Sequence, residues 1–116
     1  MLRENQTALT APEVLEAELA EVISDEEIAR VHGHANFGPT ITPREVVNEG
    51  VRKYAVGYQA GYTQLTILRE HGLITQPRPG SYAANLTQKG KRYGRVLFRI
   101  DAALRHAARQ SRGGEG

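Results

Sequence analysis

The side chains best suited to recognition chemistry lie close together between residues 59 and 92. They are amide, hydroxyl, phenol and cationic groups, namely Gln59, Tyr62, Thr63, Gln64, Thr66, Arg69, Arg78, Lys89, Lys91 and Arg92. Amides and hydroxyls can hydrogen-bond base edges, whereas guanidinium and ammonium groups bind phosphate oxygens. These residue types therefore favour recognition of a polyanion such as a nucleic acid over covalent chemistry.

Residues that would support catalysis or metal binding are sparse. The chain has 0 cysteines, and no nearby carboxylate pair completes a ligand set with His32 and His34, two of its 4 histidines. There is no serine in a nucleophile elbow and no carboxylate pair near a glycine-rich phosphate loop. We therefore expect no enzymatic activity, no metal site and no cofactor.

Charge is distributed unevenly along the 116 residues. Residues 1–40 contain eight acidic and two basic side chains, whereas residues 41–116 contain thirteen basic and five acidic ones. A basic segment favours a polyanionic partner, because each neutralised phosphate releases condensed counterions. Two alternatives stay open: the cations simply solvate a helix surface, or the acidic segment folds onto the basic face and inhibits it.

A helix, a turn and a second helix are predicted to position the first half of this set. Thr42, Pro43 and Glu45 are typical of a helix start. An apolar stripe predicts that this helix continues to about residue 56; it consists of Val47, Val51, Tyr54, Ala55 and Tyr58. After a turn at residues 56–61, the next helix should place Gly61, Leu65 and Leu68 inward. Gln59, Tyr62, Thr63 and Thr66 would then point outward, with Gln64 at the edge.

A hairpin and a long last helix are predicted to position the second half of the candidate side chains. Residues 73–75 and 81–86 favour extended structure, and the prolines and glycine between them require a loop. Arg78 lies between two prolines, which lowers the entropy lost when it is held at the tip. Tyr82 either packs against the hairpin or contacts the ligand. Thr87 can cap a helix that runs to about residue 110, and the tail from 111 to 116 should be disordered.

The start and the apolar stripe of this last helix support two further expectations. Its first two turns carry Lys89, Lys91, Arg92 and Arg95, a placement that the helix dipole opposes and an external anion would favour. Its stripe continues through Tyr93, Leu97, Ile100, Leu104 and Ala107 or Ala108. The helix is longer than a small core needs, so either the N-terminal helix folds back onto it or a second subunit covers it.

The N-terminal segment carries its own helix signals. Residues 12–23 combine an apolar stripe with a glutamate-rich face, and Ser24 with Glu27 has the spacing of a capping box. Whether these form one kinked helix or two helices stays open. His32 to Pro39 reads as a turn-rich junction, with Phe37 as a core anchor beneath it.

One pair of motifs resembles a known family. Leu65-x-x-Leu68-x-x-x-Gly72-Leu73-Ile74 is followed about a dozen residues later by Leu86-Thr87-x-Lys89-Gly90. Together they resemble the recognition helix, wing and following helix of winged-helix regulators of the MarR and PadR kind, over residues 43–95. The resemblance implies binding to double-stranded DNA, with the helix before the wing in the major groove and a basic wing tip near phosphate or the minor groove.

The predicted fold is therefore mainly α with a small two-stranded β-wing: a winged helix-turn-helix with extra N-terminal helices and a long C-terminal helix. Its parts would be an acidic helical extension (residues 1–40), a DNA-binding core (41–95) and a C-terminal helix with its tail (96–116). The predicted function is sequence-specific binding of double-stranded DNA by a small transcriptional regulator of bacterial, phage or mobile-element origin. The alternative is a winged-helix protein-interaction module that does not read DNA directly.

Partners and compartment follow from the same observations. We expect double-stranded DNA as the main partner, a homodimer through the N- and C-terminal helices, and a protein partner at the acidic N-terminal helix. No run approaches the length of an apolar membrane span, and the N-terminal residues lack the apolar region of a signal peptide. With the absence of cysteine, this predicts a cytoplasmic protein without a membrane partner.

Overall fold

The computed structural model describes residues 11–32 and 41–115, with side chains described as far as Gln110. Within these ranges the chain forms α1 (Pro12–Val22), α2 (Asp25–His32), α3 (Pro43–Ala55), α4 (Tyr62–Glu70) and α5 (Gln88–Glu115). The predicted junction, including His34 and Phe37, lies mostly outside the described residues. In the part of the chain that is described, no helix is both long enough and apolar enough to cross a membrane.

The predicted helix starts are confirmed where a side-chain cap was expected. The backbone N–H of Glu27 donates to Ser24 Oγ over 3.2 Å, and that of Glu45 donates to Thr42 Oγ1 over 3.1 Å. Gly90 N–H donates to Thr87 Oγ1 over 3.0 Å. Each bond satisfies one of the amides that a helix leaves free at its N-terminus. The Ser24 cap separates α1 from α2, so the N-terminal segment forms two helices.

The N-terminal helix folds back onto the last one, which was one of the two alternatives for covering α5. Of the described helices, α1 and α5 form the most extensive pair. Leu15 and Leu19 of α1 and Leu97 and Ile100 of α5 are all buried. Beyond Ile100 the predicted stripe is wrong: Leu104 is 53% exposed, and Ala107 and Ala108 are exposed as well. The helix also continues through residues 111–115, beyond its predicted end at about residue 110.

An arginine links the first two helices to α3 and α5. Arg44 Nη2 donates to the carbonyl oxygen of Ile23 over 2.9 Å and to the Asp25 carboxylate, while Nη1 donates to the Tyr93 hydroxyl over 3.3 Å. That hydroxyl donates in turn to Asn48 Oδ1 over 2.6 Å. Burial lowers the pKa of Arg44, but the bonds to Asp25 and Tyr93 outweigh this and raise it. The guanidinium is therefore a fixed structural cation.

The predicted two-stranded β-wing is wrong. The described residues contain no strand: the two segments meet at one antiparallel bridge, between Ile74 and Leu86. Two backbone bonds flank it, from Thr75 N–H to Asn85 O and from Thr87 N–H to Leu73 O, each 2.9 Å long. Further pairing fails because side chains take up the backbone groups: Asn85 N–H donates to Thr75 Oγ1 over 3.1 Å, and Tyr82 O accepts from the Tyr54 hydroxyl. The segment is a loop held at its base, hereafter the 75–85 loop.

The prediction that Gly61 faces inward is wrong. The glycine at which α3 and α4 approach each other is Gly50. Gly61 is exposed, and nothing lies within 4 Å of a Cβ placed on it. A Cβ on the buried Gly50 would lie 2.6 Å from Leu68 Cδ1. Gly57 ends α3 as predicted, with a φ of 90° that favours glycine. Ala55 and Tyr58 are exposed, so the predicted stripe on α3 ends at Tyr54.

Candidate nucleic-acid interface

The start of α4 presents polar side chains to solvent. Gln59 and Thr63 are exposed, and Tyr62 is 64% exposed. Thr66 is half-buried, and its hydroxyl donates to the Tyr62 carbonyl oxygen over 2.9 Å. The N-cap residue, Gly61, supplies no side-chain hydrogen bond to the first turn. Amides that lack a side-chain cap make this end of α4 suited to an anion.

Gln64 does not belong to this exposed set. It is only 6% exposed, and its Nε2 donates to the Val46 carbonyl oxygen over 2.9 Å and to Glu49 Oε1 over 3.3 Å. Its Oε1 accepts from Lys53 Nζ over 3.0 Å. All of these partners belong to α3, so Gln64 joins the two helices and is turned away from solvent.

A surface cleft of about 350 Å³ separates α4 from the 75–85 loop. Tyr62 and Arg69 line it from α4, and Arg78 and Tyr82 line it from the loop. The two tyrosine rings contact each other with centroids 6.5 Å apart and planes inclined by 45°. Neither arginine forms an ion pair with another described residue. The cleft therefore combines two uncompensated cations with an aromatic wall.

The tip of the 75–85 loop is a tight turn with a buried proline just before it. Ser81 N–H donates to the Arg78 carbonyl oxygen over 2.9 Å, and Gly80 has a φ of 79°. Proline at the second position and a glycine with positive φ at the third define a type II turn. Pro77 is buried, whereas Arg78 is exposed. The turn therefore presents the guanidinium of Arg78 to solvent from a loop of restricted conformation.

The cationic start of α5 is fixed beside the end of α4. The Thr87 hydroxyl donates to the Gly72 carbonyl oxygen over 2.6 Å while accepting the bond from Gly90 that caps α5. Lys91, Arg92 and Arg95 are exposed, and Lys89 is half-buried. The first turn of α5 has no acidic residue. Among the described residues, none of these four cations forms an ion pair.

The acidic helices do not cover these candidate cations. Glu18 of α1 pairs with Arg99 of α5 at 3.5 Å, and Asp25 of α2 pairs with Arg44. Both arginines lie outside the candidate set, so the contacts of the described residues do not support the self-inhibition hypothesis.

A second cleft, of about 370 Å³, lies between α1, α3 and α5 and contains Arg44 and Arg52. Both guanidiniums are already bound to carboxylates, Arg52 to Asp101 at 2.9 Å, so this cleft is a poor anion site.

His71 is a buried titratable group beside the interface. It follows α4, is 2% exposed, and neither ring nitrogen has a hydrogen-bond partner among the described residues. Burial lowers the pKa of this imidazole, with Lys89, Arg30 and Arg44 acting in the same direction and Glu27 opposing them. No group of three potential metal ligands is found in residues 11–32 and 41–115. His71 is therefore a neutral core residue at neutral pH.

Sequence reasoning missed one residue that shapes the interface, Tyr54, and left the role of Tyr82 open. Tyr54 was assigned only to the apolar stripe of α3, but its hydroxyl donates to the Tyr82 carbonyl oxygen over 2.7 Å. For Tyr82 the sequence left open whether the side chain packs against the hairpin or contacts the ligand. In the structure Tyr82 lines the wall of the cleft and is 42% exposed. Neither contact has a sequence signal, because each joins segments about 20 or more residues apart in the chain.

Comparison with known proteins returns no relative: no family model, no curated protein and no solved structure matches this chain. The family resemblance therefore rests on the motifs in residues 65–90 alone.

Proposed function

We propose that this protein is a small sequence-specific regulator that binds double-stranded DNA, with α3 and α4 as a helix-turn-helix pair. One observation carries the proposal: the polar start of α4, which has no side-chain cap, borders a cleft that also contains two arginines without ion pairs, Arg69 on α4 and Arg78 on the facing loop. The α4 helix, about 14 Å long, fits the major groove with its N-terminus leading. Arg78 then reaches backbone phosphate or the minor groove.

The candidate side chains have different roles in this proposal. Gln59 and Thr63 read bases, since an amide bonds adenine in two places and a threonine methyl meets the methyl group of thymine. Tyr62 hydrogen-bonds phosphate or sugar, whereas Thr66 has no proton free for phosphate because its hydroxyl already donates to the Tyr62 carbonyl oxygen. The cations Arg69, Arg78, Lys89, Lys91 and Arg92 bind phosphate without regard to sequence. Gln64 is left out because its amide is already bound to α3.

The biological setting of the proposal is transcriptional control in the cytoplasm of a bacterium, or by a phage or mobile element. A chain without cysteine suits a reducing compartment. We further propose that a homodimer places two α4 helices on one duplex. The exposed apolar side chains of Val14 on α1 and Phe98 on α5 are suited to a contact between subunits.

The experiment that tests this function is a titration of the protein with a random duplex pool at two salt concentrations, followed by sequencing of the retained DNA. We expect binding that weakens as salt rises, and an enriched motif. A palindromic motif with half-sites about one helical turn apart would indicate a dimer. Absence of binding at low salt would refute the proposal.

A second candidate function is a protein-interaction module. The exposed side of α1 carries three glutamates, Glu13, Glu16 and Glu21, together with the apolar residues Val14 and Ala17. Such a surface suits a basic partner protein. This candidate predicts that a partner recovered with the protein stays bound after nuclease treatment, whereas a partner lost with the DNA would favour the first.

A further inference from the structure

We infer that Tyr54 is a positioning residue for the DNA interface: its hydroxyl fixes the 75–85 loop so that Arg78 is held over the cleft beside α4. The inference rests on the proposed function and adds to it a residue that does not touch DNA. Tyr54 belongs to α3 and is only 7% exposed, so a ligand in the cleft would not reach it.

The geometry makes Tyr82 the attachment point of the loop. The Tyr54 hydroxyl donates to the Tyr82 carbonyl oxygen over 2.7 Å, and the Tyr82 ring contacts the Tyr62 ring of α4. Tyr82 is thus linked to α3 through its backbone and to α4 through its side chain. The other end of the turn is anchored by the buried Pro77. Four residues separate the two anchors, and Arg78 is the first of them.

Fixing the loop has a consequence for binding because the described segment lacks a β-ladder. One bridge, between Ile74 and Leu86, joins the base of the loop, and no strand pairing continues to its tip. A loop without a ladder loses more conformational freedom when its side chains bind a ligand. The hydroxyl of Tyr54 replaces the missing strand pairing with one partly buried hydrogen bond, a tether that lowers this entropy loss before DNA binds.

The test is a double-mutant cycle with Tyr54→Phe and Arg78→Ala, because phenylalanine keeps the ring and removes only the tether. Tyr82 is exposed, so water can satisfy its carbonyl oxygen in the variant and the fold should persist. We expect Tyr54→Phe to weaken duplex binding about fivefold, the effect of one hydrogen bond, and to have no further effect in the Arg78→Ala background. Tyr58→Phe removes a hydroxyl from a tyrosine that is 70% exposed, and it should leave affinity unchanged.

Amide hydrogen exchange on the free protein supplies a readout that does not depend on DNA. The tether predicts about fivefold faster exchange for the two hydrogen-bonded amides of this segment, Ser81 and Ala83, in Tyr54→Phe, with the helices unchanged. Unchanged exchange there, or the same loss of affinity with and without Arg78, would overturn the inference. If the Tyr54→Phe variant exchanges faster but the wild-type protein binds no duplex, the proposed function is refuted instead, because the tether would then exist without a DNA interface.

Discussion

Gly90 packs directly against the backbone of Leu73, so that a Cβ on Gly90 would lie 2.1 Å from the Leu73 carbonyl oxygen. The same carbonyl accepts a hydrogen bond from Thr87 N–H over 2.9 Å, and the Thr87 hydroxyl donates to the carbonyl of Gly72. These contacts give physical meaning to the spacing between the Gly72-Leu73-Ile74 and Leu86-Thr87-x-Lys89-Gly90 motifs. Together they fix the start of α5 against the end of α4.

Substitution of Gly90 by alanine is therefore expected to destabilise the fold by about 2 kcal/mol or more, because the clash is with backbone and cannot be relieved by a rotamer change. Gly94 of the same helix is the matched control, since a Cβ there would meet its nearest neighbours at an ordinary 3.6 Å. Gly94→Ala should be neutral or stabilising by up to about 1 kcal/mol. Chemical denaturation of both variants checks this, and equal effects would contradict the account of the motif.

His71 predicts a pH dependence of stability with a definite sign. Its pKa is lowered in the folded state, so the unfolded chain binds more protons as pH falls below the ordinary value of about 6.5. The free energy of unfolding should be at its full value above that pH and decrease as pH falls towards the depressed folded pKa. Denaturant titrations of wild type and His71→Leu between pH 7.5 and 5 (roughly one unit above to 1.5 units below that ordinary value) test this.

The variant separates His71 from other titrating groups. Replacing an imidazole that has two unpaired nitrogens by leucine removes a buried polar group, so His71→Leu should be at least as stable as wild type at pH 5. Its stability should also vary less over this pH range. An unchanged pH dependence in the variant would assign the effect to other residues.

Neighbouring residues on α4 should respond in opposite ways. Gln64→Ala breaks a buried bond to Val46 and a partly buried bond to Lys53, so it should cost about 1–3 kcal/mol of stability. Thr63→Ala, at an exposed position, should leave the melting temperature unchanged and alter the preferred DNA sequence. Thermal melts and repeated selection from the random duplex pool distinguish the two, and a shifted sequence preference with Gln64→Ala alone would contradict this assignment.

The helix starts were predictable because their signals are local. Thr42 and Ser24 each bind an amide three residues further on, and Gly57 and Gly72 adopt the positive φ that ends a helix. Such contacts need only a few consecutive residues, and the sequence contains all of them.

The conformation of the 75–85 loop and the orientation of the α4 side chains were less predictable, because residues distant in the sequence determine them. Thr75 takes the amide of Asn85 and Tyr54 takes the carbonyl of Tyr82, so two good strand-forming segments do not form a sheet. The period of α4 placed Leu65 and Leu68 correctly, but Gln64 was placed at the outer edge because its bonds to α3 have no sequence signal. Gly61 was predicted to face inward, but the glycine that packs against Leu68 is Gly50, whose contact likewise joins residues distant in sequence.

The central claim is that unpaired cations of the 75–85 loop and of α5 bind DNA phosphates, and the salt dependence of duplex affinity tests it most directly. Arg78 and Lys91 have no ion pair among the described residues, so replacing both by alanine should weaken binding to every duplex. The slope of log K against log salt should fall by about 1.8, or about 0.9 per lost phosphate contact. Arg99→Ala is the control, because that side chain already pairs with Glu18. A double variant with the wild-type slope and affinity would contradict the claim.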